Sequence, residues 1–387
     1  MSNIFKTEAA SSEVITEPIA LDVAVPRSDF IHKLLAQPYW WRKINLGKIA
    51  LFIFSLYLFF LAITLMKYGA RGMVPLIQNS LNLSNGFNSL GFGWVFAYVI
   101  MSGSPVAAAA LTFFDAGVFD KFGTFAMITG SRFGASFIVL LIGFIYIVRG
   151  RDRSSSLSMG VLALLVTITT YIPALIMGGI ILRTGILDQV QIQTGGVLES
   201  SIDMLIEPLV DLISSIFARW FIFIIGLAVM ISSFSLLDRC LPQMTLKESH
   251  FGQISRLVYR PVVMFALGAG ITLLTMSVSL SLSILVPLSA RGYIRRENVI
   301  PYIMGANITT FVDTLLASVL LNNPPAFTIV LVEMLSVALV SILILSMFFP
   351  RYRHIIQGYV TWVTDSNKNL AIFLALIFSA PIILLLV

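Results

Sequence analysis

Apolar runs long enough to cross a bilayer, about 20 residues each, recur near 48–66, 123–148, 157–182, 219–238, 299–321, 326–349 and 370–387. Each predicts a membrane-spanning helix. Two further apolar stretches, 90–114 and 257–289, are interrupted by small and polar residues: Met101-Ser102-Gly103-Ser104-Pro105 and Thr275-Met276-Ser277-Val278-Ser279. Either stretch reads as one long broken helix or as a re-entrant hairpin that turns back at mid-membrane. Residues 1–27 are polar, without the basic start and apolar core of a signal peptide, and predict a flexible cytoplasmic tail. From Ser28 to Lys43, Phe30, Leu34, Leu35, Tyr39, Trp40 and Trp41 mix with Arg42 and Lys43, a composition suited to a helix lying among lipid headgroups.

Composition agrees with the pattern. Hydrophobic residues make up 58% of the 387 and charged residues 11%, against about 25% charged in a soluble domain; mean hydropathy is +0.94. The net charge of +6 therefore reports topology first, and nucleic acid is not expected as a partner. If both broken stretches are hairpins, the cytoplasmic side collects Arg42, Lys43, Lys48, Arg149, Arg151, Arg153, Arg239, Lys247, Arg256, Arg260, Arg291, Arg295, Arg296, Arg351 and Arg353. The other side keeps Lys67, Arg71, Lys121, Arg183 and Arg219. That bias satisfies the positive-inside rule, and a single-span reading of either stretch breaks it. The expectation is two hairpins, a cytoplasmic N-terminus and an external C-terminus in the plasma (inner) membrane.

The two broken stretches align with each other. Ser102 and Ser277 differ by 277 − 102 = 175, and the same offset pairs Gly117 with Gly292, Gly130 with Gly305, and Leu140-Leu141 with Leu315-Leu316. Three spans and one hairpin per unit give an odd number of crossings, so the second copy enters the membrane upside down. The expected fold is an all-α polytopic membrane protein of two inverted repeats. Its parts are a tail and interfacial helix (1–47), repeat 1 (48–184), an extracellular connector (185–218), repeat 2 (219–357) and an extra C-terminal membrane helix (358–387). Inverted repeats with discontinuous helices recur in secondary transporters, with the site at mid-membrane between the repeats.

Broken backbone inside a bilayer is tolerated where it is buried in protein or lines a wet cavity. The tip serines Ser102, Ser104, Ser277 and Ser279 therefore become candidate ligands. Their hydroxyls suit sodium, and the N-termini of the broken helices suit an anion; close packing by small residues is the plain alternative. After each hairpin comes a second interrupted segment, Thr129-Gly130-Ser131-Arg132-Phe133-Gly134-Ala135 and Met304-Gly305-Ala306-Asn307-Ile308-Thr309-Thr310.

Gly305-Ala306-Asn307-Ile308, with Thr310 and Leu315-Leu316-Ala317-Ser318, resembles the GANIGTT-type motif of sodium–phosphate cotransporters. In that family a QSSS tip precedes the motif, and here it falls on Met276-Ser277-Val278-Ser279, with Pro301 between; the first tip falls on Met101-Ser102-Gly103-Ser104. The resemblance implies sodium-driven phosphate uptake. Substrate would be bound by Ser102, Ser104, Arg132, Ser277, Ser279 and Asn307, and sodium by Ser277, Ser279, Thr309, Thr310 and Asp313. Sodium is then a coupling ion, no cofactor is expected, and the partners are membrane lipid, sodium and a small phosphate-like anion. The sequence departs from the pattern in its tip methionines, in Gly103 and Val278, in the reduced first motif Gly130-Ser131-Arg132-Phe133, and in Thr309 and Asp313. Another small solute, proton coupling through Asp313, and a non-transporting subunit stay open as alternatives.

Arg132 and Asp313 are expensive facing lipid and so point to the bundle interior. Arg132 is placed either to clamp an oxyanion or to pair with Asp313 across the repeats. The role of Glu333 is open. Glu199, Asp203, Glu207 and Asp211 recur every four residues and stack on one helical face, with Leu205, Leu209 and Ile213 opposite, as in a solvated interfacial helix or a cation-attracting vestibule. One cysteine, Cys240, excludes an internal disulfide and a cysteine cluster, and three scattered histidines argue against a histidine metal site. Calcium loops, nucleotide-binding glycines and nucleophile elbows are absent from the sequence, and no enzymatic activity is expected.

Overall fold

The computed structural model describes residues 46–80, 85–148, 153–192, 196–240, 260–278, 281–282 and 296–387. The tail, the headgroup-region helix and Ser279 lie outside the described residues. By contact the chain divides into residues 1–49, of which Leu46–Ile49 are the described part, and the compact unit 50–387.

Among the described residues the fold is all-α. The helices are α1 (Leu46–Ser80), α2 (Gly86–Ile100), α3 (Ser104–Asp115), α4 (Lys121–Val148), α5 (Arg153–Thr184), α6 (Gly196–Ile216), α7 (Arg219–Cys240), α8 (Pro261–Thr275), α9 (Arg296–Thr309), α10 (Phe311–Leu320), α11 (Pro324–Leu343), α12 (Phe349–Asp365) and α13 (Asn367–Leu386). Among the described residues seven segments are long and apolar enough to cross a membrane: Leu46–Ile77, Lys121–Val148, Leu157–Thr184, Arg219–Cys240, Glu297–Leu320, Pro324–Asp365 and Asn367–Leu386. They mark an integral membrane protein, and each overlaps one of the runs read from the sequence. The sixth differs in length. In place of a stop near 349, a π-helical turn at Ile344–Phe348 feeds directly into α12. Pro350 sits in the first turn of α12, where a missing N–H costs nothing.

Helix α2 begins under a side-chain cap, Asn85 accepting from the Asn88 amide at 2.8 Å. It stops at Met101, whose φ of 56° is left-handed. The chain restarts at Ser104 with Pro105 in the first turn of α3. Helices α2 and α4 run parallel, because their contacts advance together from Ser89 against Gly123 to Ala97 against Gly134. The intervening α3 therefore carries the chain back to the level at which α2 began. Its turn, at Gly103, packs against Ser131 and Ala135 half-way along α4.

The same construction recurs 175 positions later. Helix α8 ends at Met276 with φ 49°, and its neighbour is α9. A Cβ built on Gly93 would meet the Met127 carbonyl, and one on Gly268 would meet that of Tyr302; both residues of the second pair follow the first by 175. Helices α1 and α7 pack antiparallel, with Gly69 against Phe223 and Gly226 against Met66. Phe59 meets Phe234 edge-on at 5.6 Å between ring centroids.

Helix α6 corrects one detail. Ile206 and Val210, with Ile213, form its packed face against Leu61, Leu65 and Ile222, whereas Leu205 and Leu209 are exposed. Glu207 and Asp211 are exposed as well.

Candidate functional site

Arg132 points into the centre of the bundle and is 4% exposed. Its Nη2 donates to Thr314 Oγ1 at 2.7 Å and its Nη1 to Thr310 Oγ1 at 3.3 Å. The guanidinium lies over the Phe311 ring, 4.7 Å from its centroid. Asp313 Oδ1 is 4.0 Å from Nη2 and accepts from Thr314 Oγ1 at 2.8 Å. Arg132 and Asp313 are thus brought together through the Thr314 hydroxyl rather than as a direct forked pair. Arg132 Nε and Asp313 Oδ2 have no hydrogen-bond partner, although the Ser104 hydroxyl stands near the Asp313 carboxylate. A buried donor and a buried acceptor left unused in one place are costly and are what a ligand's complementary groups would satisfy.

A cavity of about 30 Å³ adjoins the guanidinium. It is lined by Ser102, Gly103, Ser104, Ser277, Asn307 and Thr310 among others, and has room for one or two water molecules. Both broken tips reach it, one from each half of the chain. Ser102 and Ser277 also line a larger cavity of about 330 Å³ with Met101, Ser235 and Asp238. That cavity lies towards the C-terminal ends of α4 and α7, where Ile142 and Asp238 border it.

The remaining residues singled out in the sequence divide. Asn307 is buried, its Nδ2 donating to Thr167 Oγ1 at 3.1 Å while its backbone carbonyl accepts from the Tyr171 hydroxyl at 2.9 Å. Thr310 joins Arg132. Thr309 does not reach the cavity, because its hydroxyl is engaged by the Ala269 carbonyl at 2.8 Å. Sequence reading passed over Thr314, Thr167 and Tyr171. The spacing Thr310–Thr314 places both hydroxyls on one helical face and is the signal that was there to find. Glu333, left open from sequence, accepts from the Thr129 hydroxyl at 2.7 Å. At the ends of the helices, Lys67 reaches the Leu321 carbonyl at 2.8 Å and lies 3.7 Å from Asp115, which also accepts from Asn323 at 2.9 Å.

Among the described residues no group of three or more His, Cys, Asp or Glu is placed to hold a metal ion. Comparison with family models, curated proteins and solved structures gives no match.

Proposed function

We propose that this protein is a secondary active transporter that carries inorganic phosphate or a related oxyanion in symport with sodium. The observation that carries the reading is the cavity where two broken helix tips converge on Arg132. Helix α3 starts there with its free N–H groups, and the hydroxyls of Ser102, Ser104, Ser277 and Thr310 surround the same space. An anion is favoured at a helix N-terminus, and a planar guanidinium with one unused donor matches an oxyanion. Sodium would take oxygens from Ser277, Thr310 and Asp313, which bears an unused carboxylate oxygen beside the site.

In this reading the 175-residue recurrence is an inverted repeat, and each broken segment is a re-entrant hairpin. The parallel course of α2 and α4 on either side of α3, the left-handed Met101 and Met276, and the matched glycine contacts support it. The basic side is cytoplasmic, and the 330 Å³ cavity faces it as the inner vestibule of a conformation shut on the other side. Alternating access follows when one hairpin-bearing bundle moves against the other. The protein is not assigned an enzymatic role. The test is uptake of labelled phosphate into proteoliposomes with and without an imposed sodium gradient. Sodium-driven accumulation is expected, and no uptake of phosphate, arsenate or sulfate under either condition would reject the reading.

A further inference from the structure

We propose that Glu333 is a proton-binding site and, resting on the transporter reading above, that the proton it carries is a coupling ion. Among the described residues the buried charged side chains are Arg132, Asp313 and Glu333. Two carboxylates and one guanidinium leave one negative charge uncompensated where water is excluded, and such a charge is expensive. Arg132 is committed to the Thr314–Asp313 side of the site. Glu333 has the Thr129 hydroxyl on one oxygen, and its Oε2 has no partner; neither has the hydroxyl of Ser336, three residues on. Residues three apart share a helical face, so a proton on Oε2 would give Ser336 a donor to accept from.

A proton suits this place better than a metal ion. Hard cations such as calcium take six to eight oxygens, whereas the one side-chain oxygen bonded to Glu333 among the described residues is the Thr129 hydroxyl, and the Tyr171 hydroxyl is already spent on the Asn307 carbonyl. Space is short as well. A Cβ on Gly178 would come within 2.3 Å of the Phe125 ring and 3.0 Å of Ser336 Oγ.

The titratable neighbours on the packed helices are accounted for. Arg132 of α4 and Tyr171 of α5 act on Glu333 electrostatically, and Asp313 of α10 lies beyond Arg132. On α9, Tyr302 is bonded to Ser281 and Glu297 pairs with Arg353; on α3, Asp115 pairs with Lys67. None of these supplies the missing positive charge.

Coupling follows from position. Thr129 and Arg132 are three residues apart on α4, so the acid and the anion-facing guanidinium sense each other. An anion arriving at Arg132 adds a negative charge and favours the protonated acid. A proton leaving Glu333 gives Arg132 a second carboxylate to answer and weakens its hold on the anion.

The test uses infrared difference spectra of the full-length protein in lipid vesicles, titrated with acid and base. A protonated-carboxyl carbonyl band is expected in wild type, absent in Glu333→Gln and retained in Asp313→Asn. Thr129→Val, which deletes the hydroxyl bonded to the acid, should shift that band. A band that survives Glu333→Gln, or that ignores Thr129→Val, overturns the site. A wild-type band abolished by sodium but not by choline at equal ionic strength identifies a metal-ion site and overturns it too. These readouts do not require transport. For the coupling, anion uptake should rise at least several-fold when the outside is made acid, and Glu333→Gln should remove that dependence. Uptake that proceeds but ignores the pH gradient overturns the coupling and leaves the transporter reading standing.

Discussion

Gly130 and Gly305 occupy equivalent positions in two helix pairs. A Cβ on Gly130 would stand 2.1 Å from the Leu90 carbonyl oxygen, and one on Gly305 2.1 Å from that of Phe265, while Leu90 and Phe265 are themselves 175 positions apart. No side chain fits at either place, because the obstacle is backbone. Gly130→Ala and Gly305→Ala should each separate their helices and cost about 1–3 kcal/mol, the usual penalty of overpacking. Gly270 and Gly358 have nothing within 4 Å, and alanine there should be neutral or stabilise by about 0.5–1 kcal/mol. Thermal unfolding in one detergent compares all four; equal effects would remove the close-packing explanation.

Arg132 and Asp313 share the Thr314 hydroxyl, so their neutral variants should not add. Arg132→Gln or Asp313→Asn leaves one buried charge without its partner, and each should cost about 3–5 kcal/mol. The double variant should recover part of that loss, with a coupling of roughly 0.5–3 kcal/mol. Arg132→Lys should behave more like Arg132→Gln than like wild type, since a single ammonium cannot span Thr310 and Thr314 as the fork does. Additive losses in the cycle would separate the two residues energetically.

Ser102 and Ser277 line both the 330 Å³ cavity and the smaller one that adjoins Arg132. On the transporter reading, replacing either with alanine would remove one hydrogen bond to a charged ligand, worth about 1.5–3 kcal/mol, so apparent affinity for the anion should fall roughly ten- to a hundred-fold. Expression should survive, so that the loss is read in transport kinetics. Unaltered uptake kinetics in both variants would return these serines to a packing role.

The orientation is testable by labelling in a Cys240→Ser background. Asp120→Cys and Arg183→Cys, at exposed positions, should react with an impermeant thiol reagent added outside intact cells, and Arg351→Cys should react after the membrane is opened. The sequence also places Arg151 and Arg295 on the inner side. Outside labelling of Arg295→Cys would reverse the second hairpin and with it the upside-down copy.

Much of the fold was legible because hydrocarbon-facing helices announce themselves by length and apolarity, and because Ser-Gly-Ser-Pro interrupts an apolar run where Met101 turns left-handed. The extension of the sixth span was not. Arg351 and Arg353 read as a polar exit, yet Ile356, Val360 and Val363 recur on one face of α12 and bury it. The packed face of α6 was misread for a related reason: Leu205 and Ile206 fit the same period, and only the position of α1 and α7 selects Ile206. In the site, Arg132 and Asp313 stood out as charges in apolar surroundings. Their partners did not, since Thr314, Thr167 and Tyr171 are ordinary helix residues until the neighbouring helix is known. The same limit separates Thr309 from Thr310, adjacent hydroxyls of which one meets the Ala269 carbonyl and the other the guanidinium.

If the two halves are an inverted duplication, as proposed above, the contact between Phe59 and Phe234 has an ancestral meaning. The two are separated by the same 175 positions that relate the halves, so in a duplicated chain this is one residue touching its own counterpart. A position can do that only on the axis that exchanges the copies. A half-length forebear, inserted in both orientations and paired with itself, would have made this contact phenylalanine to phenylalanine across a homodimer. Fusion of two such genes would have left it as the seam, and the connector between α5 and α7 as the added stitch. Severed within that connector and produced as two separate polypeptides, the halves should still find each other, with the two rings meeting where the partners join.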